Sequence, residues 1–221
     1  MPKKNTIRLK GVFFMLFKNR QDAAKKLSSL LKKYKNKKDT IVIALPRGGV
    51  VIGDILSKEL NLSLDIIVAR KLSSPILEEL AIGAICEDFE FLNEDLIKGY
   101  DVSKEYLKKE IEKEKNLAKE RETLYRQNKK SIYLKDKTIM LVDDGIATGA
   151  TMIAAIGALK KRKVKKIIVA IPVGPYFTIE KLTKLVDEVI CPYMPDDFLA
   201  IAQYFEKFDQ VSDTEVIEIL K

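Results

Sequence analysis

Residues 138–151, TIMLVDDGIATGAT, decide the fold. The opening TIMLV is a short apolar run of the kind found in strands covered on both faces. Two carboxylates, Asp143 and Asp144, come next, and a string of small residues and threonines then opens into an apolar segment read as a helix over residues 149–162. KIIVAIPV, from Lys166, supplies a second buried strand. The same order occurs upstream: TIVIAL at 40–45, a break at PRGG, a helical VVIGDILSKEL, then LDIIVA at 64–69. Strand, glycine turn, helix and strand make a βαβ unit, which requires parallel strands and a right-handed crossover. A helix over 177–185 and a short strand at 188–190 follow. The predicted fold is α/β: an open, doubly wound, mainly parallel sheet with helices on both faces, in one domain spanning 1–221. Ligands of such sheets sit outside the carboxyl ends of the strands.

Between the two units the pattern changes. LAIGAI and FEFL read as a hairpin near the sheet edge. Residues 103–126 form a charged helix with opposite charges four apart, such as Glu105 and Lys109, and only a thin apolar stripe. It is the core of a helical insertion at about residues 100–130. Before the first strand, apolar residues at three- and four-residue spacing predict an amphipathic helix over 20–34.

Composition narrows the chemistry. A net charge of +8 favours anionic ligands without choosing among them. Histidine is absent, which excludes Ser-His-Asp and Cys-His catalysis and the usual histidine-bearing zinc sites. The two cysteines, Cys86 and Cys191, fit no metal spacing and read as buried reduced thiols. Near the N-terminus, VFFMLF is too short for the apolar region of a signal peptide and far too short to cross a bilayer. The expectation is a soluble, cytoplasmic protein with no membrane partner.

The loop after TIMLV carries the ligand chemistry. At the start of a helix several backbone N–H groups have no partner within the helix, and the helix dipole favours an anion there. Small residues let a phosphate approach the backbone, and Thr148 and Thr151 add hydroxyls. The loop is neither a Walker loop nor a dinucleotide fingerprint. A carboxylate facing a phosphate is repelled, whereas one facing sugar hydroxyls or hydrated Mg²⁺ is not. An acid pair beside a phosphate nest therefore describes a site for ribose 5-phosphate.

Residues 142–151, VDDGIATGAT, closely resemble the phosphoribosyl diphosphate signature of type I phosphoribosyltransferases. ALPRGGV at 44–50 resembles that family's pyrophosphate loop, often built with a non-proline cis peptide, and VARKL at 68–72 places basic residues after the next strand. With ELAIGA at 79–84 and FDQVSD at 208–213, the likeness extends over almost the whole chain and points to an uncharacterised branch of the family. The resemblance implies that Ala147, Thr148, Gly149, Ala150 and Thr151 bind the 5-phosphate. Asp143 and Asp144 would hold the ribose hydroxyls, stabilise charge on the ring and hold Mg²⁺ through water. Arg47, Gly48, Arg70 and Lys71 would bind the departing pyrophosphate, with Arg70 and Lys71 also counted as catalytic. A flexible loop that closes over the ribose is expected after Arg70.

The acceptor side departs from the purine-specific members. An aspartate often stands where this chain has Ala147, and a lysine is expected near VAIPV, where none stands. YMPDDFLAIAQYFEKF at 193–208 nevertheless resembles the C-terminal hood of purine enzymes, here about residues 191–221. That likeness makes Phe198 a stacking platform for an acceptor ring and Leu199 a main-chain contact. The expected activity is transfer of ribose 5-phosphate from phosphoribosyl diphosphate to a nitrogenous base, releasing pyrophosphate, in a homodimer by analogy with the family. The alternative is a phosphoribosyl diphosphate-sensing regulator that binds nucleic acid through a basic face such as KKRKVKK at 160–166. No nucleic-acid-binding motif accompanies that cluster, so the enzyme is preferred.

Overall fold

The computed structural model describes residues 17–127 and 129–221. Of VFFMLF only Phe17 lies within them, and it is buried; the rest of that reading falls outside the described residues. The central element is a five-stranded parallel sheet in the order β2 (Ser63–Ile66), β1 (Thr40–Ala44), β6 (Thr138–Val142), β7 (Lys166–Ala170), β8 (Glu188–Ile190). From β1 the chain steps outward to β2, then returns on the other side of β1 as β6. The boundary between β1 and β6 is thus the point where the winding reverses, the place at which open α/β sheets bind ligands.

Strand residues alternate between two cores. Val42, Ala44, Met140 and Val142 face the cluster beneath α1 (Arg20–Leu30) and α2 (Gly48–Leu60). Ile41, Ile43, Ile139 and Leu141 face the cluster beneath α5 (Ala150–Lys161) and α6 (Tyr176–Thr183). Helices therefore cover both faces, as the continuous apolar strands require. The first helix is shorter than its periodicity predicts: α1 ends at Leu30, and a 3₁₀ turn, Lys32–Tyr34, completes the segment.

The predicted edge hairpin is corrected. The strands β4 (Ala81–Cys86) and β5 (Phe89–Leu92) do pair antiparallel, but with β3 (Ala69–Ser73) they form a second, three-stranded sheet. Arg70 and Lys71 thus follow β2, as expected, but lie within a further strand, β3. This sheet packs on α5, where Phe89 occupies the space left by Gly157. With sheets on opposite sides, α5 buries every residue from Met152 to Leu159. An apolar helix without a polar face demands such cover.

The charged insertion is α3 (Glu94–Gly99) and α4 (Lys104–Arg126), the latter capped by Ser103, whose hydroxyl accepts from the Tyr106 amide. Lys109 and Glu105 pair at 2.8 Å as the spacing predicts. Its inner face is less apolar than expected, because Glu110 and Glu114 are buried there among polar groups of β3, while Leu124 is exposed. The C-terminal segment returns along the N-terminal one, with backbone bonds joining Phe17 to Tyr204 and Glu206. It ends in α7 (Asp213–Leu220), packed on α2 and α4. Among the described residues no helix is long and apolar enough to cross a membrane.

Candidate active site

Two loops meet where the winding reverses. Ala44 and Val142, the last residues of β1 and β6, are register partners, so the turn at 45–48 and the acids at 143–144 leave the sheet side by side. The Pro46–Arg47 peptide is cis, as expected from the loop's resemblance. A Cβ on Gly48 would lie 1.9 Å from Asp144 Oδ2, so that contact requires glycine. The acid pair is thereby pressed against the start of α2.

The two carboxylates differ in their partners. Asp143 Oδ1 accepts from the backbone amide of Asp144 at 2.8 Å. Asp144, 8% exposed, accepts from Arg20 Nε at 2.7 Å. Burial raises the Asp143 carboxyl well above its ordinary value, and the neighbouring charge of Asp144 adds to it. Burial also raises Asp144, against the opposing pull of Arg20. One guanidinium is too little to compensate two adjacent acids, one buried and one half-buried, and the pair favours a retained proton or an arriving cation.

The expected phosphate nest follows at once. Gly149 takes φ +81°, a left-handed conformation that favours glycine, and places α5 immediately after it. The N-cap makes no side-chain bond to the first turn of the helix. Ala147 and Thr148 are exposed at the mouth, while Gly149 and Ala150 are buried. The loop is braced from behind by the Thr178 hydroxyl, which donates to the Ala147 carbonyl at 2.7 Å, and by the Ile146 amide, which donates to Val173.

Residues 15–207 match the family described as "Phosphoribosyl transferase domain". The chain belongs to the phosphoribosyl transferase family. It is 32% identical to the protein TT1426 of Thermus thermophilus, with a TM-score of 0.76, over 92% of this chain and 97% of that one. It is 35% identical over 206 residues to the Mycobacterium tuberculosis protein named "Putative phosphoribosyl transferase Rv0571c", covering 93% of this chain and 46% of the relative. The chain thus spans about half the length of the curated relatives it matches. A shorter likeness, 43% over 61 residues, links 27% of this chain to 22% of the ribose-phosphate pyrophosphokinase of Pyrococcus furiosus.

Not every residue that the phosphoribosyl transferase signature singles out converges on the acid pair. Arg47 follows the cis peptide and stands 3.7 Å from Asp213 Oδ1, whose other contact is the Tyr125 hydroxyl. Arg70 donates to Glu114 at 2.6 Å, and Lys71 donates to the carbonyls of Glu78 and Glu79. Both line a polar cavity of about 460 Å³ between β3 and α4, closed in part by Ser74, Tyr106 and Glu110. The connection from β3 to β4, where a closing loop is expected, carries the exposed Ile76 and Leu77.

In the segment expected to bind an acceptor, Phe198 stacks on Tyr204 with centroids 5.6 Å apart, and Tyr193 meets the same ring edge-on. Leu199 is 89% exposed. Ile201 packs on Gly145, which seats this hood beside the acids. The basic cluster at 160–166 is largely engaged within the molecule. Arg162 pairs with Glu87, Lys165 with Asp39 and Lys166 with Glu188, while Lys161 donates to the Asp88 carbonyl. Sequence reasoning missed Arg20, Thr178 and Glu114. Arg20 did leave a signal: it opens a helix, where the dipole disfavours a cation unless a partner stands nearby.

Proposed function

We propose that this phosphoribosyl transferase moves ribose 5-phosphate from phosphoribosyl diphosphate to a nitrogenous acceptor and releases pyrophosphate. The observation that carries the reading is the contact between Asp144 and Gly48, with the α5 nest directly downstream. It sets hydroxyl-binding acids between two loops suited to the two phosphate ends of one donor.

In this reading the backbone amides of residues 147–151 bind the 5-phosphate, aided by the hydroxyls of Thr148 and Thr151 and the dipole of α5. Asp143 and Asp144 accept from the ribose hydroxyls and face the positive charge that develops as the anomeric bond breaks. Gly48 lets the pyrophosphate approach the backbone, and Arg47 offsets its charge. Arg70 and Lys71 act from β3 once the donor draws them from Glu114 and the neighbouring carbonyls. Phe198 offers its ring to an aromatic acceptor. Bond cleavage leads, so positioning and charge matter more than covalent chemistry.

The donor set suits Mg²⁺. Two adjacent carboxylates supply hard oxygen ligands, and among the described residues Arg20 is the one cation bonded to them. Asp143 and Asp144 would hold the ion through water. When bound, it would neutralise charge on the pyrophosphate.

The test is pyrophosphate release from phosphoribosyl diphosphate and Mg²⁺ across a panel of purines, pyrimidines and amines. Acceptor-dependent release is expected. Tight donor binding without release for any acceptor contradicts transfer and favours a sensing role.

A further inference from the structure

FDQVSD at 208–213 stands out in the sequence, yet the donor reading gives it no task. In the structure it holds the Arg20 guanidinium beside Gly48 and approaches that of Arg47, the preceding residue. The Phe208 ring carries the Arg20 guanidinium at 3.7 Å, and the Asp209 carbonyl accepts from Arg20 Nη1 at 2.7 Å. Asp213 stands beside Arg47 and is held in turn by Tyr125 of α4. Arg20 itself is only 11% exposed, with Nε on Asp144.

We propose that Arg20 is a pyrophosphate-binding residue of the donor site, and that Phe208 and Asp209 form the clamp that aims it. The proposal rests on the donor reading given above. Position argues for it first: a Cβ on Gly48 would lie 3.0 Å from Arg20 Nε, so the guanidinium lies directly beside the turn at 46–48. Hydrogen bonding argues second. Nε is committed to Asp144 and Nη1 to Asp209, and among the described residues no bond is made by Nη2. A planar guanidinium can hold a carboxylate on one edge and a phosphate on another, which an ammonium cannot reproduce.

Charge supply argues third. Arg70 and Lys71, the cations expected at the leaving group, are bonded to Glu114 and to backbone carbonyls. The guanidinium next to Gly48 is that of Arg20, and Arg47 is the residue before it in the turn. The ring face of Phe208 and the Asp209 carbonyl are neutral groups, so the clamp fixes Arg20 without itself pairing the charge. The side chain is therefore ordered before the ligand arrives, and binding loses less rotamer freedom.

The experiment is calorimetric titration of Mg²⁺-pyrophosphate, phosphoribosyl diphosphate and ribose 5-phosphate into the wild type, Arg20→Gln, Arg20→Lys and Phe208→Leu. Arg20→Gln should weaken pyrophosphate by at least about tenfold, the loss expected for one charged hydrogen bond. Ribose 5-phosphate should weaken clearly less in the same variant. Arg20→Lys should fall between the two, and Phe208→Leu should lose several-fold for pyrophosphate with the guanidinium still present. Unchanged pyrophosphate affinity in Arg20→Gln and Arg20→Lys overturns the proposal. So does an equal loss for both ligands, which would mean that Arg20 acts only by holding Asp144. If Arg20→Gln does not fold, Arg20→Lys and Phe208→Leu decide by the same ratio of losses. A wild type that binds neither phosphoribosyl diphosphate nor ribose 5-phosphate overturns the donor reading, and this proposal with it.

Discussion

Two carboxylate sites on the same parallel sheet differ sharply in how their charge is met. Glu188, on edge strand β8, is 5% exposed and bonds to Lys33, Tyr34 and Lys166. Burial opposes its ionisation, but those three donors outweigh burial and hold the carboxyl below its ordinary value. At the end of central strand β6, Asp144 is buried and the adjacent Asp143 half-buried, with Arg20 bonded to Asp144. There burial wins, and both carboxyls are raised. A carboxylate answered by the protein serves the fold, whereas an acid pair left short of cations is suited to a ligand that brings them.

The sharpest way to break that contrast is to neutralise each site. Asp144→Asn should cut turnover by about 10²–10³-fold, as loss of one transition-state electrostatic contact does, while the protein stays folded by circular dichroism. Full activity in that variant would remove Asp144 from the chemistry. Glu188→Gln should do the reverse. It should cost about 2 kcal/mol in urea unfolding, since Tyr34 and the partly exposed Lys33 and Lys166 lose charge-assisted hydrogen bonds, and leave turnover per folded molecule unchanged.

Acid titration sharpens the same comparison through its sign. Glu188 has a lowered folded carboxyl, so its contribution is complete above the ordinary value of 4.5 and is lost as pH falls through the folded one. The aspartate pair has raised folded carboxyls. Its contribution is complete below the ordinary value of 3.8 and is lost as pH rises through the folded ones. Urea midpoints measured against pH should therefore lose part of their acid-side fall in Glu188→Gln. In Asp143→Asn they should lose part of their decline toward neutral pH. Parallel curves for wild type and both variants would contradict the contrast.

The smallest effect concerns the nest. Thr178→Val removes a neutral hydrogen bond to Ala147 at nearly constant shape, worth about 1 kcal/mol. Ribose 5-phosphate should bind several-fold more weakly, with pyrophosphate alone unaffected. Equal weakening of both would show that the brace does not act on the nest.

What could be read from the chain follows its local chemistry. TIVIAL and TIMLV announce buried parallel strands because each is apolar after its opening threonine, and the loops that meet at the candidate site follow within a few residues. The place of β3 was hidden: ARKLS mixes charge with one buried leucine, and its partner strand begins only at Ala81. The polar cavity beside it was hidden for the same reason, since Glu114 meets Arg70 from 44 positions away. Arg20 and Asp144 are 124 positions apart, and no local pattern announces such a pair. A clue to the second sheet did exist in α5, whose lack of any polar face calls for cover on both sides.

The central claim is that the acid pair and the α5 nest hold one donor. The most direct measurement is calorimetric titration of phosphoribosyl diphosphate into the wild type and Asp144→Asn, with and without Mg²⁺. The account predicts wild-type binding between about 1 μM and 1 mM with Mg²⁺, weakened at least about tenfold by removing the metal or by the substitution. No binding, or binding indifferent to both changes, would contradict it.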